Sequence, residues 1–235
     1  LPGLSARTTP DRPMRAWVVG CSTGEEVFTL GILLSEVCGE LGLRPDFQLF
    51  ATDLDEAALR RARLGVYPAE AVAALSPERQ ERFFIPQGDV CQVIPELRER
   101  ILVARHNLLR DPPFSNQDLV CCRNLLIYFD QALQKRVIKT LYYSLKEDGA
   151  LMLGKSESIS GKGSLFTPIP DLDQMFRKIG NRQAVLPEVL SWAYPIGARK
   201  AGALAERPAP DALSATQRLL LDRFCPAAAV ITKNL

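Results

Sequence analysis

The sequence predicts an α/β domain built on a doubly wound, mostly parallel sheet that carries a small inserted β-subdomain. Three observations support this. Short apolar runs of strand length alternate with segments whose apolar residues recur every three or four positions, as buried strands and their covering helices do. A glycine-bearing turn, GCSTG at 20–24, joins the first strand to the first helix. Polar and charged residues stand just past the ends of several strands, at the edge where open α/β sheets bind ligands.

The first strand is expected at 16–19. The helix after it, at 25–41, places Val27, Leu30, Leu33, Leu34 and Val37 on one stripe. A second strand at 47–52 ends at Asp53, and a short helix at 55–64 stops at Gly65, suited to a left-handed cap. Ser76 and Pro77 open another helix reaching about residue 84, since serine caps well and proline suits the first helical position. Strands at 90–94 and 101–105 flank an exposed ELRER turn. This stretch breaks the alternation, so the inserted β-subdomain is assigned to about 85–105. Order resumes with a strand at 118–122 and a helix at 131–146, where Leu133, Val137, Leu141 and Leu145 leave one face for the sheet. Gly149 is read as that helix's cap, 150–153 as the next strand and 174–179 as the last.

Composition narrows the function. Lys and Arg total 29 against 27 Asp and Glu, a net charge of +2, which argues against nucleic-acid binding by bulk charge. No run of about 18 apolar residues exists to enter a membrane, and the start has no apolar segment of a secretory signal, so a cytoplasmic location is expected. Residues 1–15 and 181–212 read as linkers around a domain at 16–180. Residues 213–235 resume with a helix and one strand, too little for a core of their own, so the chain is expected to belong to a larger multidomain protein. The six cysteines contain no CxxC pair, and His106 is the single histidine. Packed, reduced thiols are expected rather than a metal site.

Gly20 and Gly24 allow a tight turn and close approach of backbone to a ligand. Amides at a helix start favour anions, but Glu25 and Glu26 would repel a pyrophosphate there. The turn suits a ligand with an ammonium or sulfonium group, unless both glutamates serve only the helix dipole. Asp53 is placed to accept hydrogen bonds from the ribose hydroxyls of a nucleoside. Arg123 and Asn124 follow the 118–122 strand directly, and Tyr128 lies within reach of the same edge. Asn107 could read an adenine edge, whereas His106 reads as a packing residue. GCSTG also matches the GxSxG nucleophile elbow, with Ser22, Asp53 and His106 in the chain order of a hydrolase triad. That elbow needs strands and an oxyanion loop ahead of the serine, and His106 follows a strand assigned to the subdomain, so the hydrolase reading is set aside.

WVVGCSTGEE, ATDLDEAALRRARLGVYP, ARHNLLRDPPFSNQDLVCCRNLLIYFD, DGALMLGKSES and MFRKIG occur in that order across about 15–180. Together they resemble the CheR-type chemotaxis receptor methyltransferases, closest to the methyltransferase segment of CheB/CheR fusion proteins. The resemblance implies a Rossmann-like fold, S-adenosylmethionine as cofactor, and methyl transfer to glutamate side chains in the cytoplasmic domains of chemoreceptors. Carried over, Gly20, Ser22 and Gly24 form the cofactor turn, Glu25 faces the methionine end and Asp53 holds the ribose. Asn107 and Leu108 flank the adenine, and Arg123 and Asn124 lie beside the cofactor. Arg123 and Tyr128 stand near the reacting methyl as the catalytic residues. Residues 219–235 resemble the start of a PAS sensor domain. Two departures stand out. The family's N-terminal helical domain has no counterpart in these residues, which implies weak cofactor affinity and no measurable methyl transfer by residues 1–235 alone. The turn at Pro86, Gln87 and Gly88 is short, which weighs against tight docking of a receptor's C-terminal pentapeptide. Two other readings stand beside this one: a methyltransferase for another acceptor, or a non-catalytic regulatory module of a signalling fusion.

Overall fold

The apolar runs become strands in the computed structural model, which describes residues 13–159 and 165–180. In chain order the strands are β1 (Met14–Val19), β2 (Phe47–Asp53), β3 (Val66–Pro68), β4 (Phe84–Gln87), β5 (Val90–Val93), β6 (Ile101–Arg105), β7 (Gln117–Cys122), β8 (Leu145–Leu153), β9 (Phe166–Pro168) and β10 (Met175–Lys178). The helices are α1 (Glu25–Glu40), α2 (Glu56–Leu64), α3 (Ala69–Val72), α4 (Pro77–Phe83), α5 (Pro95–Arg98) and α6 (Gln131–Ser144). The main sheet has the order β6-β2-β1-β7-β8-β10-β9. Its first five strands run parallel, and antiparallel pairing begins at β10. From β1 the chain winds outward to β2 and β6, then crosses back to β7 and β8. The switch point therefore lies between β1 and β7, and their carboxyl ends open the crevice where such sheets bind ligands.

Alternation along the strands divides the core in two. Ala16, Val18, Leu49, Ala51, Leu119 and Cys121 pack with Val27, Leu30 and Leu34 of α1. Trp17, Val19, Phe50, Val120, Cys122 and Leu151 pack with Val137, Ile138 and Leu141 of α6. Side chains cap two helices where the sequence offers aspartate: Asp55 accepts from the Ala57 and Ala58 amides, and Asp130 from that of Leu133. Gly65 ends α2 in the left-handed conformation, as its position in the sequence indicates.

The structure corrects several boundaries. Residues 101–105 do not belong to the subdomain; β6 pairs in parallel with β2 from Leu49↔Ile101 to Asp53↔Arg105. The inserted sheet is β3-β5-β4 instead, and β3 is three residues long, too short to leave a periodic trace. The helix expected to reach 146 stops at Ser144, and Gly149 caps nothing. Strand β8 starts at Leu145 opposite Gln117, whereas Ala150 faces Leu119, so the intervening residues bulge. Lys146 anchors that bulge on both carboxylate oxygens of Asp118, at 2.7 and 2.8 Å. The expected linker to residue 15 gives up Met14 and Arg15 to β1. The rest of that linker, the linker at 181–212 and the PAS-like stretch lie outside the described residues, apart from residue 13.

Candidate functional site

The chain leaves β1 turned toward β2, because the Thr52 carbonyl accepts hydrogen bonds from both Gly20 N at 2.8 Å and Cys21 N at 2.9 Å. The turn then passes through left-handed residues at Gly20, Ser22 and Gly24, with φ of 70°, 48° and 97°. Gly24 is required twice over. Beyond its φ, a Cβ there would lie 3.0 Å from both the Ala62 Cβ and the Tyr67 hydroxyl. Tyr67, from β3, donates that hydroxyl to the Thr23 carbonyl at 2.8 Å, so the subdomain braces the turn from outside. Burial raises the Tyr67 pKa above its ordinary value, keeping the proton it donates.

The turn is tied to the end of β2 by one carboxylate. Asp53 Oδ2 accepts from Ser22 N at 2.8 Å, and Oδ1 accepts from Leu54 N at 2.7 Å and Asp55 N at 3.0 Å. Three backbone donors thus fix a half-buried carboxylate at the sheet edge, leaving about one of its four acceptor positions for a ligand. Burial and the Asp53 charge push the neighbouring Cys21 thiol up to about 12.

The two glutamates in the first turn of α1 part company. Glu25 is exposed and accepts the Thr23 hydroxyl on both oxygens, at 2.7 and 2.6 Å. Glu26 turns inward and meets Arg123 Nη1 at 3.4 Å. Burial raises the Glu26 pKa, and the guanidinium of Arg123 opposes that shift. Glu26 Oε1 and Arg123 Nε are buried without a hydrogen-bond partner. Beside the pair opens a cavity of about 320 Å³ lined by Thr29, Leu30, Leu33, Cys121, Met152 and Met175.

On the far side of Asp53, Asn107 uses its Oδ1 to accept from Leu109 N at 3.0 Å, which leaves its amide nitrogen to donate elsewhere. The Leu108 side chain is 9 % exposed and belongs to the core. His106 packs edge-on against Trp17, its Nε2 lies 3.0 Å from the Pro112 carbonyl, and burial lowers its pKa. Ser22 and His106 reach Asp53 only through their backbone amides, the first on its carboxylate and the second on its carbonyl, so no triad forms. Tyr128 sits on a 3₁₀ turn (Leu126–Tyr128) and is 77 % exposed, bonded to neither the Ser22–Asp53 nor the Glu26–Arg123 pair. Asn124, left-handed at φ 56°, lies in a turn held by Glu157, which sequence reasoning passed over. Among the described residues no group of three His, Cys, Asp or Glu side chains converges on a metal-sized site, and no helix is long and apolar enough to cross a membrane.

Residues 1–173 match the family described as CheR methyltransferase, SAM binding domain. The chain belongs to the CheR methyltransferase family. Among curated relatives, it is 34% identical over 209 residues to an uncharacterized 104.1 kDa protein in the hypE 3′ region of Rhodobacter capsulatus, covering 89% of this chain and 21% of that protein. It is 36% identical over 146 residues to the chemotaxis protein methyltransferase of Listeria innocua, covering 62% of this chain and 54% of that one. It is 34% identical over 162 residues to the chemotaxis protein methyltransferase of Escherichia coli, covering 65% of this chain and 55% of that one. The chain therefore spans between a fifth and about half of these relatives. The cofactor of this CheR domain is S-adenosylmethionine. The residues present fit it: a left-handed glycine turn, a carboxylate at the end of the next strand, and an exposed acid at the helix start.

Proposed function

We propose that this CheR domain transfers the methyl group of S-adenosylmethionine to glutamate side chains of chemotaxis-type receptors, forming glutamyl methyl esters in the cytoplasm. The observation that carries the reading is the 2.8 Å bond from Ser22 N to Asp53. It sets the glycine turn beside the ribose-binding carboxylate, the pairing a nucleoside cofactor needs. In this reading Gly20, Ser22 and Gly24 present backbone to the cofactor, and Glu25 takes the ammonium of its methionine end. Asp53 accepts from a ribose hydroxyl. Asn107 donates its amide to the adenine, and Leu108 flanks it.

When bound, the cofactor supplies an electrophilic methyl group on a sulfonium. The acceptor glutamate, with an ordinary pKa of about 4.3, is already ionised at neutral pH, so the chain needs no base. His106, bonded to a carbonyl and held neutral by burial, is free of any proton-transfer duty. What remains is alignment and exclusion of water. Arg123 and Asn124 stand at the end of β7, where a guanidinium can hold the incoming carboxylate, and Tyr128 lies at the exposed rim to receive the acceptor segment. The chemotaxis methyltransferases among the relatives support receptors as partners.

The test is methyl transfer from labelled S-adenosylmethionine to receptor cytoplasmic fragments by the full-length protein. Alkali-labile label that vanishes when the acceptor glutamates are replaced is the expected result. Cofactor binding with no transfer to any receptor would overturn the receptor assignment.

A further inference from the structure

We infer that Glu157 is a positioning residue whose carboxylate locks the turn carrying Arg123 and Asn124 against the cofactor turn. The functional consequence rests on the cofactor placement proposed above; the locking itself rests on geometry. Glu157 is 4 % exposed. No Lys, Arg or His among the described residues pairs with it; four backbone amides do. Oε1 accepts from Leu125 N at 2.8 Å and Leu126 N at 2.7 Å, and Oε2 from Asn124 N at 3.1 Å and Gly154 N at 2.7 Å. Every acceptor position of the carboxylate is thereby used.

Two further observations show that the surroundings are shaped to this carboxylate. A Cβ on Gly154 would lie 2.8 Å from Glu157 Oε2 and 2.9 Å from Asn124 Oδ1, so the end of β8 has room for the carboxylate only as glycine. Asn124 adopts φ 56°, a left-handed conformation that asparagine tolerates better than most residues, and its own amide is one of the four donors. The turn also touches the cofactor loop, since a Cβ on Gly20 would lie 3.5 Å from the Leu125 methyls. Displacing residues 123–126 would therefore move Arg123, Asn124 and the Leu125 wall behind Gly20 together. A buried charge is a costly way to fill space, and an apolar side chain at 157 could not satisfy these amides.

The experiment uses Glu157→Gln in the full chain, with binding of S-adenosylhomocysteine measured by calorimetry far below the melting temperature. The carboxamide keeps the shape but turns an NH₂ toward two N–H donors. Loosening the Leu125 wall behind Gly20 should disturb about one cofactor contact, so affinity should fall by about 10-fold. Amide exchange should quicken at residues 124–126 and stay unchanged in β5. Lys178→Met, which removes the Lys178 bond to the Leu145 carbonyl, serves as a control for destabilisation alone: a lower melting temperature with unchanged affinity. Should Glu157→Gln fail to fold, Gly154→Ala presses on the same carboxylate and should produce the same loss. Faster exchange with affinity within twofold of the parent, in whichever variant folds, would overturn the positioning role. Failure of the parent protein to bind S-adenosylhomocysteine would instead overturn the cofactor reading, and the functional role of Glu157 with it.

Discussion

Replacing Asp53 with alanine should weaken cofactor binding far more than it weakens the fold. The carboxylate accepts three backbone amides at 2.7 to 3.0 Å. All three bonds lie in exposed surroundings, so water can take over as acceptor, and the loss of stability should be about 1 kcal/mol. In a domain of this size that lowers the melting temperature by about 2–4 °C. Binding is more sensitive. With about one acceptor position left for a ribose hydroxyl, the ligand loses one hydrogen bond to a charged group, worth about 1.5–3 kcal/mol, or roughly 10- to 150-fold in affinity. Asp53→Asn separates charge from shape: its carbonyl can still accept, but its NH₂ opposes an amide of Ser22 or Leu54, so an intermediate loss is expected. Calorimetric titration of each variant with S-adenosylhomocysteine, paired with a thermal melt, measures both effects. Affinity of the alanine variant within twofold of the parent would refute the assignment of Asp53 to the ribose.

Arg123→Ala should reduce methyl transfer more than cofactor affinity, measured as kcat against the dissociation constant of S-adenosylhomocysteine; equal losses would make Arg123 a cofactor anchor. Gly24→Ala, forced to a φ of 97° and 3.0 Å contacts with Ala62 and Tyr67, should destabilise the domain by about 1–3 kcal/mol in urea unfolding. Burial holds the His106 pKa below its ordinary 6.5, so the fold binds fewer protons there than the unfolded chain does. Its stabilising contribution is then complete above 6.5 and lost as the pH falls toward the folded value, and His106→Phe should flatten that part of the urea-midpoint profile.

The parallel α/β layout and most of the candidate site are legible in the sequence alone, for a local reason. Periodicity marks each strand and helix separately, and in a parallel sheet all strand ends fall on one edge. Gly20, Gly24, Asp53 and Arg123 could therefore be placed at one edge without knowledge of a single contact, whereas Asn107 joins them only once β6 is seen to pair with β2. What adjacent residues do is less visible. Glu25 and Glu26 share one helical turn, yet only packing sends the first to solvent and the second to Arg123. Strand partnership is decided at long range: the ILVA run of β6 would suit either sheet, and it joined β2 because backbone donors and acceptors there needed a partner. The bulge in β8 depends on its register with Gln117 and on the Lys146–Asp118 pair, neither of which Gly149 reveals. Glu157 is the extreme case. In a GKSES stretch a glutamate reads as an exposed loop residue, and the amides that claim it come from Gly154 and from a turn more than 30 residues earlier. Hydrogen bonding within a helix or turn is written in nearby residues, whereas the convergence of distant backbone donors on one buried carboxylate exists only once the sheet has formed.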